Sequence, residues 1–174
     1  MRRTSSIPKP AHLAARYGDQ FQDVGVARAY STRPPYSPEF FAVLDGLHAP
    51  GQQKILELGS GSGDVTLGLL GRAVRIDAIE PSAAMLSIAQ QRPHSGHPSI
   101  RWICASAEDA AFEGPYSLAL AAESLHWMEW EVVLPKIAAA LAPDAVLVVA
   151  ERGLAAPVPW HDELGRLISR YSTN

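Results

Sequence analysis

Glu57, Gly59, Gly61 and Gly63 stand at alternate positions in the stretch ILELGSGSGDVT at 55–66. An apolar run ends on an acid, serines alternate with glycines, and Asp64 opens an amphipathic stretch. A glycine-rich turn between a strand and a helix lets backbone approach a ligand where a side chain would collide. The charge of that ligand can be narrowed by spelling. A phosphate P-loop needs Gly-x4-Gly-Lys-Ser/Thr, and no lysine follows these glycines. A dinucleotide fingerprint needs Gly-x-Gly-x-x-Gly; counted from Gly59 the sixth residue is Asp64, and from Gly61 it is Thr66. An aspartate at the head of the next helix also competes with a pyrophosphate for the positive helix end. Glu57 suits a cation instead. A second acid, Glu80, ends another apolar run about 20 residues on, the distance at which an acid accepts from ribose hydroxyls in nucleotide-type sites.

These residues need elements to hold them. Short apolar runs alternate with amphipathic stretches from Lys54 onward. KILELG, VRIDAIE, IRWICASAED, YSLALAAES and AVLVVAERG read as five strands. DVTLGLLGR, PSAAMLSIAQQR, EWEVVLPKIAAALAP and HDELGRLISRY read as helices, the third kinked or interrupted at Pro135. Met85, Ile88 and Ala89 share one face of the second of these. Upstream, SPEFFAVLDGLH is a helix with Ser37 as cap and Pro38 in its first position. Such alternation implies an α/β fold: a Rossmann-like, doubly wound, mostly parallel sheet with helices on both faces. Residues 1–50 read as a lead-in with lid helices, and 51–174 as the core.

Four segments, each at the end of a strand, resemble the motifs of class I S-adenosylmethionine (SAM)-dependent methyltransferases, and in particular their small-molecule, type 11/12-like branch. Glu57-x-Gly59-x-Gly61-x-Gly63 resembles motif I, EPSAAML (80–86) the ribose segment, CASAED (104–109) the adenine segment, and AAESLHWM (121–128) the LHW segment. Further upstream, YSTRPPYSPEFF (30–41) resembles a segment that folds over the SAM site in bacterial members. The resemblance implies SAM as cofactor, a small-molecule methyl acceptor and a methyltransferase activity. It implies cofactor contacts from Glu57, Gly59, Ser60, Gly61 and Gly63, then from Glu80, Pro81, Ser82 and Met85. Further contacts are implied from Ala107, Glu108, Ala122 and His126, with Tyr30 and Arg33 as a lid and Tyr36 beside them. Glu123 and Trp127 fall at the mouth of the site. His126, as a base, and Tyr30, as a hydrogen-bonding group near the methyl, are the catalytic candidates. The bland readings are a surface or capping histidine, and a Tyr–Arg pair that only anchors its segment.

The same resemblance expects seven strands, and five are legible. The chain then reads as short of the last two, and an alternative is a fragment that binds SAM without turnover. A nicotinamide oxidoreductase is a further alternative, disfavoured by the missing third glycine. A fifth strand without an outer neighbour is an apolar edge through which copies could associate. The net charge of −3 gives no footprint for nucleic acid. The lone Cys104 cannot form an internal disulfide and, in an apolar run, reads as a small buried hydrophobe. No histidine or acid falls at metal-ligand spacing. Without an apolar N-terminal stretch or a membrane-length run, the expectation is a cytoplasmic protein.

Overall fold

A computed structural model describes residues 18–30, 32–51, 53–153 and 159–171. Five parallel strands form one sheet: β1 (Lys54–Leu58), β2 (Arg75–Glu80), β3 (Ile100–Cys104), β4 (Tyr116–Ala122) and β5 (Leu141–Ala150). Their order is β3-β2-β1-β4-β5, so the chain winds outward from β1 in both directions. The reversal of direction at β1 opens a crevice beyond the carboxyl ends of β1 and β4.

The helices are α1 (Val24–Tyr30), α2 (Pro38–Asp45), α3 (Asp64–Gly68), α4 (Ala83–Gln91), α5 (Trp130–Ala140) and α6 (His161–Tyr171). Ser37 caps α2 by accepting from Phe40 N at 3.3 Å, with Pro38 in the first turn. Both faces of the sheet are covered. Phe41 and Leu44 of α2 and Val65 of α3 pack on Ile55, Ile76, Leu118 and Leu120. Val133 and Ile137 of α5 pack on Leu56, Leu58, Ala119 and Ala121 from the other side. Because β1 is buried on both faces, its sequence is nearly continuous apolar text instead of alternating.

Four details depart from the sequence reading. Helix α1 has no apolar period to announce it, and its signal is polar. The Asp23 carboxylate accepts from Gly25 N at 2.7 Å and Val26 N at 3.0 Å, satisfying the first free amides. Pro135 does not interrupt α5; it removes one early hydrogen bond and the helix runs on to Ala140. β5 takes over at once at Leu141, four residues earlier than expected. Leu141 pairs with Tyr116, the ladder slips around Asp144 at φ +64°, and regular pairing resumes at Val146 opposite Leu118. Cys104 is exposed, not buried, because β3 is the outer strand and Cys104 its last residue.

A polar network sits within the sheet beneath the crevice. Asp77 on β2 is fully buried and accepts from Arg75 Nε at 2.7 Å, Arg101 Nε at 3.2 Å and Tyr116 Oη at 2.7 Å. Three residues along the strand from Asp77 stands Glu80. On the other side of the sheet order, β5 pairs only with β4 among the described residues, and Val146 and Val149 on it are exposed. The described side chains of α6 are exposed along their whole length, including Leu164, Leu167 and Ile168.

Candidate active site

A cavity of about 320 Å³ lies over the carboxyl ends of all five strands. That volume suits a small organic ligand. Glu57, Gly59, Ser60 and Gly61 line it after β1, Glu80, Pro81, Ser82 and Met85 after β2, and Ala107 and Glu108 after β3. Ala122 and Glu123 follow from β4, Arg152 from β5, and Phe21, Tyr30, Arg33 and Tyr36 from the N-terminal segment.

The glycines of the first turn divide by what replaces their missing side chains. All three have positive φ, at +72°, +55° and +81° for Gly59, Gly61 and Gly63. A Cβ on Gly59 would lie 2.4 Å from Ser124 Cβ, and one on Gly63 would lie 2.9 Å from the Trp102 ring. Those two make room for protein. A Cβ on Gly61 meets nothing within 4 Å, so Gly61 alone faces open space. The loop is pinned in place: Gly59 N and Ser60 N donate to Ile79 O, and Ser124 Oγ donates to Leu58 O at 2.6 Å.

Two buried acids flank this turn. Glu57 is 2% exposed, and its Oε2 accepts from Thr66 Oγ1 at 2.5 Å. Burial pushes its carboxyl up to about 8, against the lowering by Thr66. Glu80 is raised as well, again chiefly by burial. Its two oxygens accept from Ser82 N at 2.9 Å and Gly61 N at 2.8 Å, which leaves one lone pair on each. On the same wall, the buried Ser60 Oγ has no hydrogen-bond partner among the described residues. A buried hydroxyl left unmatched in a cavity wall is a place for a polar ligand atom. Asp64 also lines the cavity, but Arg92 Nη1 holds it at 2.5 Å.

The adenine-type loop after β3 is fixed from behind. Lys136 Nζ donates to Ala107 O at 2.9 Å, Ala110 O at 3.0 Å and Glu108 O. Glu108 Oε1 accepts from Glu129 N at 2.7 Å. The lid is fastened at the other side. Ser82 Oγ caps α4 by accepting from Met85 N at 3.1 Å and donates to Phe21 O at 2.7 Å. Gln22 Nε2 donates to Pro81 O at 3.2 Å. The Phe21 ring packs edge-on against both Tyr30 and Trp127.

Two expected site residues lie elsewhere. Gly63 is the N-cap of α3, turned to Trp102, and does not line the cavity. His126 does not line it either; in the 3-10 turn Leu125–Trp127 the neighbouring Trp127 takes that wall, and the two rings lie 4.5 Å apart. A tight turn sends successive side chains in different directions. Sequence reasoning overlooked Phe21, Gln22 and Arg152. The rule that ligands bind past strand ends would have found Arg152, two residues after β5.

The family model described as "Methyltransferase domain" matches residues 55–144. An uncharacterised methyltransferase of Mycobacterium tuberculosis is 27% identical over 139 residues, covering 79% of this chain and 54% of its own length. The structure of a putative type II methyltransferase from Anaeromyxobacter dehalogenans aligns with TM-score 0.63 and 28% identity, over 80% of this chain and 56% of that one. A SAM-dependent methyltransferase from Thiobacillus denitrificans, solved with S-adenosyl-L-homocysteine, aligns with TM-score 0.56 and 19% identity over 77% of this chain and 54% of its own. The chain spans about half the length of the curated relatives it matches. No helix among the described residues is long and apolar enough to cross a membrane.

Proposed function

Since the chain belongs to the methyltransferase-domain family, of the class I SAM-dependent kind, we propose that it binds SAM in this cavity and methylates a small-molecule acceptor. The carrying observation is that Glu57, Glu80 and the unmatched Ser60 hydroxyl line one cavity with the open backbone at Gly61. SAM is a cationic amino acid joined to a nucleoside, and this wall offers acids, free acceptor positions and an open backbone. Glu80 would accept from the ribose hydroxyls, Glu57 would face the positive aminoacyl end, and the Ala107–Glu108 loop would meet the base.

When bound, SAM supplies a methyl group already activated by its sulfonium. The protein's share is then mainly to orient and exclude water, and the lid of Phe21, Tyr30 and Arg33 serves both. With His126 off the cavity wall, the hydroxyl of Tyr30 is the remaining catalytic candidate. Its pKa is raised by burial, so it acts as a hydrogen-bond donor near neutral pH and not as a base. The alternative of a fragment that binds without turnover shares the whole cavity and is separated from this reading by labelled-methyl transfer into a metabolite extract.

Calorimetry with S-adenosylhomocysteine tests the site. Glu80→Gln should weaken binding roughly tenfold or more, the loss of a charge-assisted pair. Gly61→Ala should weaken binding and lose only about 1 kcal/mol of stability, from its φ of +55°, because its Cβ enters open space. Gly59→Ala should lose about 2–4 kcal/mol of stability by denaturant titration, since its Cβ collides with Ser124. Equal effects of the two glycine changes on stability would defeat this division of roles. No heat with the wild-type protein would defeat the SAM reading.

A further inference from the structure

The end of the cavity under β4 and β5 has a different chemistry from the cofactor wall. Arg33 Nη1 donates to Tyr30 Oη, and Arg33 Nη2 to Glu123 Oε2 at 3.3 Å. Its guanidinium lies over the Tyr30 ring, 4.5 Å from the centroid. Arg152 donates its backbone N to the other oxygen, Glu123 Oε1, and its Nη1 to Pro34 O at 2.9 Å. Its guanidinium lies 3.9 Å over the Tyr36 ring. All five side chains line the cavity. Glu123 itself sits at φ +57°, a conformation that costs a non-glycine residue about 1 kcal/mol or more. The surroundings impose that strain, and the carboxylate it delivers ties the two arginine segments together.

One carboxylate, in contact with the Arg33 guanidinium and with the backbone N of Arg152, against two guanidiniums leaves a net single positive charge. Each guanidinium carries five donors, and the protein contacts named above use only some of them. Tyr30 and Tyr36 stay protonated, both raised by burial, and add neutral donors. Position separates Arg152 from the cofactor acids. In the order β3-β2-β1-β4-β5, Arg152 stands two strands beyond Glu57, roughly 10 Å at ordinary strand spacing. Glu80 lies on the opposite side of β1.

We propose that Arg33 and Arg152 bind the methyl acceptor, and that this acceptor carries a carboxylate. The planar guanidinium fork matches a carboxylate in shape. A net charge of one matches a monoanionic group better than a doubly charged phosphate. The assignment takes its chemistry from the SAM reading, but its binding site is independent of that reading.

Benzoate and its neutral isostere benzamide are suitable probes, because rings of Phe21, Tyr30 and Trp127 line the same cavity. Arginine Nε–H resonances are followed by NMR as each probe is titrated, with and without S-adenosylhomocysteine. Benzoate is expected to bind at millimolar concentration and shift Arg33 and Arg152, and benzamide to leave them unmoved. Arg152→Gln and Arg33→Gln should each weaken benzoate roughly tenfold, and Arg152→Gln should leave S-adenosylhomocysteine affinity nearly unchanged. Arg152→Lys, which keeps the charge and the fold but loses the fork, should fall between. If S-adenosylhomocysteine does not bind but benzoate still depends on both arginines, the SAM reading falls and this anion site stands. Equal binding of the two probes, no binding of either, or arginine variants that weaken S-adenosylhomocysteine and not benzoate would overturn the proposal.

Discussion

Raising the pH from 4.5 to about 8 is expected to destabilise this protein, and Glu57→Gln to remove most of that loss. The folded state holds the Glu57 proton up to about 8, because the carboxyl is buried. The unfolded chain releases it near 4.5. Below 4.5 both states are protonated and this group contributes no pH dependence. Between the two values the unfolded chain has ionised and the folded one has not, so each rise in pH favours unfolding. Above about 8 both are ionised and the full penalty is in place. The window spans at most ~5 kcal/mol, about 1 kcal/mol or slightly more for each pH unit. Glu80 is shifted in the same direction and would leave a smaller residual slope in the variant. In Glu57→Gln the amide oxygen can still accept from Thr66, so packing is retained and stability at pH 8 should rise by a few kcal/mol. Urea midpoints across the pH range decide it: parallel curves for the two proteins would refute the expectation. A cationic ligand beside Glu57 should draw the proton off, so SAM binding at neutral pH should release protons, seen as a dependence of binding heat on buffer.

The second large effect concerns Asp77. Asp77→Ala is expected to cost about 3–5 kcal/mol, because it strips the common partner from two guanidiniums and a phenol. Arg75, Arg101 and Tyr116 all converge on this buried carboxylate. Burial and Asp77 hold the Tyr116 phenol far above its usual range, so it is a donor throughout. Tyr116→Phe removes one hydrogen bond and should cost only about 1–2 kcal/mol. The outer pairs of Arg75 and Arg101 with Glu113 are solvent-exposed, and Glu113→Gln should change little. These changes should leave the S-adenosylhomocysteine affinity of the folded protein nearly intact, since the network clamps β2, β3 and β4 below Glu80 without touching the cavity. Thermal unfolding measures the first effect and calorimetry the second. A stable Asp77→Ala protein would show that the network contributes little.

Much of the fold was readable because its signals are local. Five apolar runs separated by amphipathic stretches dictate a parallel sheet, and Ser37 with Pro38 marks the start of α2. The strand-end acids Glu57 and Glu80 were legible for the same reason. What escaped depends on partners far along the chain. Nothing near Gly59 or Gly63 tells that Ser124 and Trp102 need their space. Cys104 looks buried by its neighbours and is exposed by the position of β3 in the sheet. Arg152 and Arg33 lie more than a hundred residues apart, and only the fold around Glu123 brings them to one wall. The early start of β5 reflects pairing of Leu141 with Tyr116, a choice that helical text around Pro143 does not betray.

Ser82 joins two jobs in one hydroxyl: it accepts from the first turn of α4 and donates to the backbone of Phe21. The turn that carries Phe21 is otherwise fastened to this loop by Gln22 on Pro81, while the Phe21 ring packs on Tyr30 and Trp127. Releasing it breaks two side-chain hydrogen bonds but leaves the cap of α4 and the sheet intact. Such an opening is a local event, far cheaper than unfolding. On the function proposed above, the residence time of a ligand in the cavity would follow how often this clasp lifts, and ligand exchange through it would set the pace of turnover.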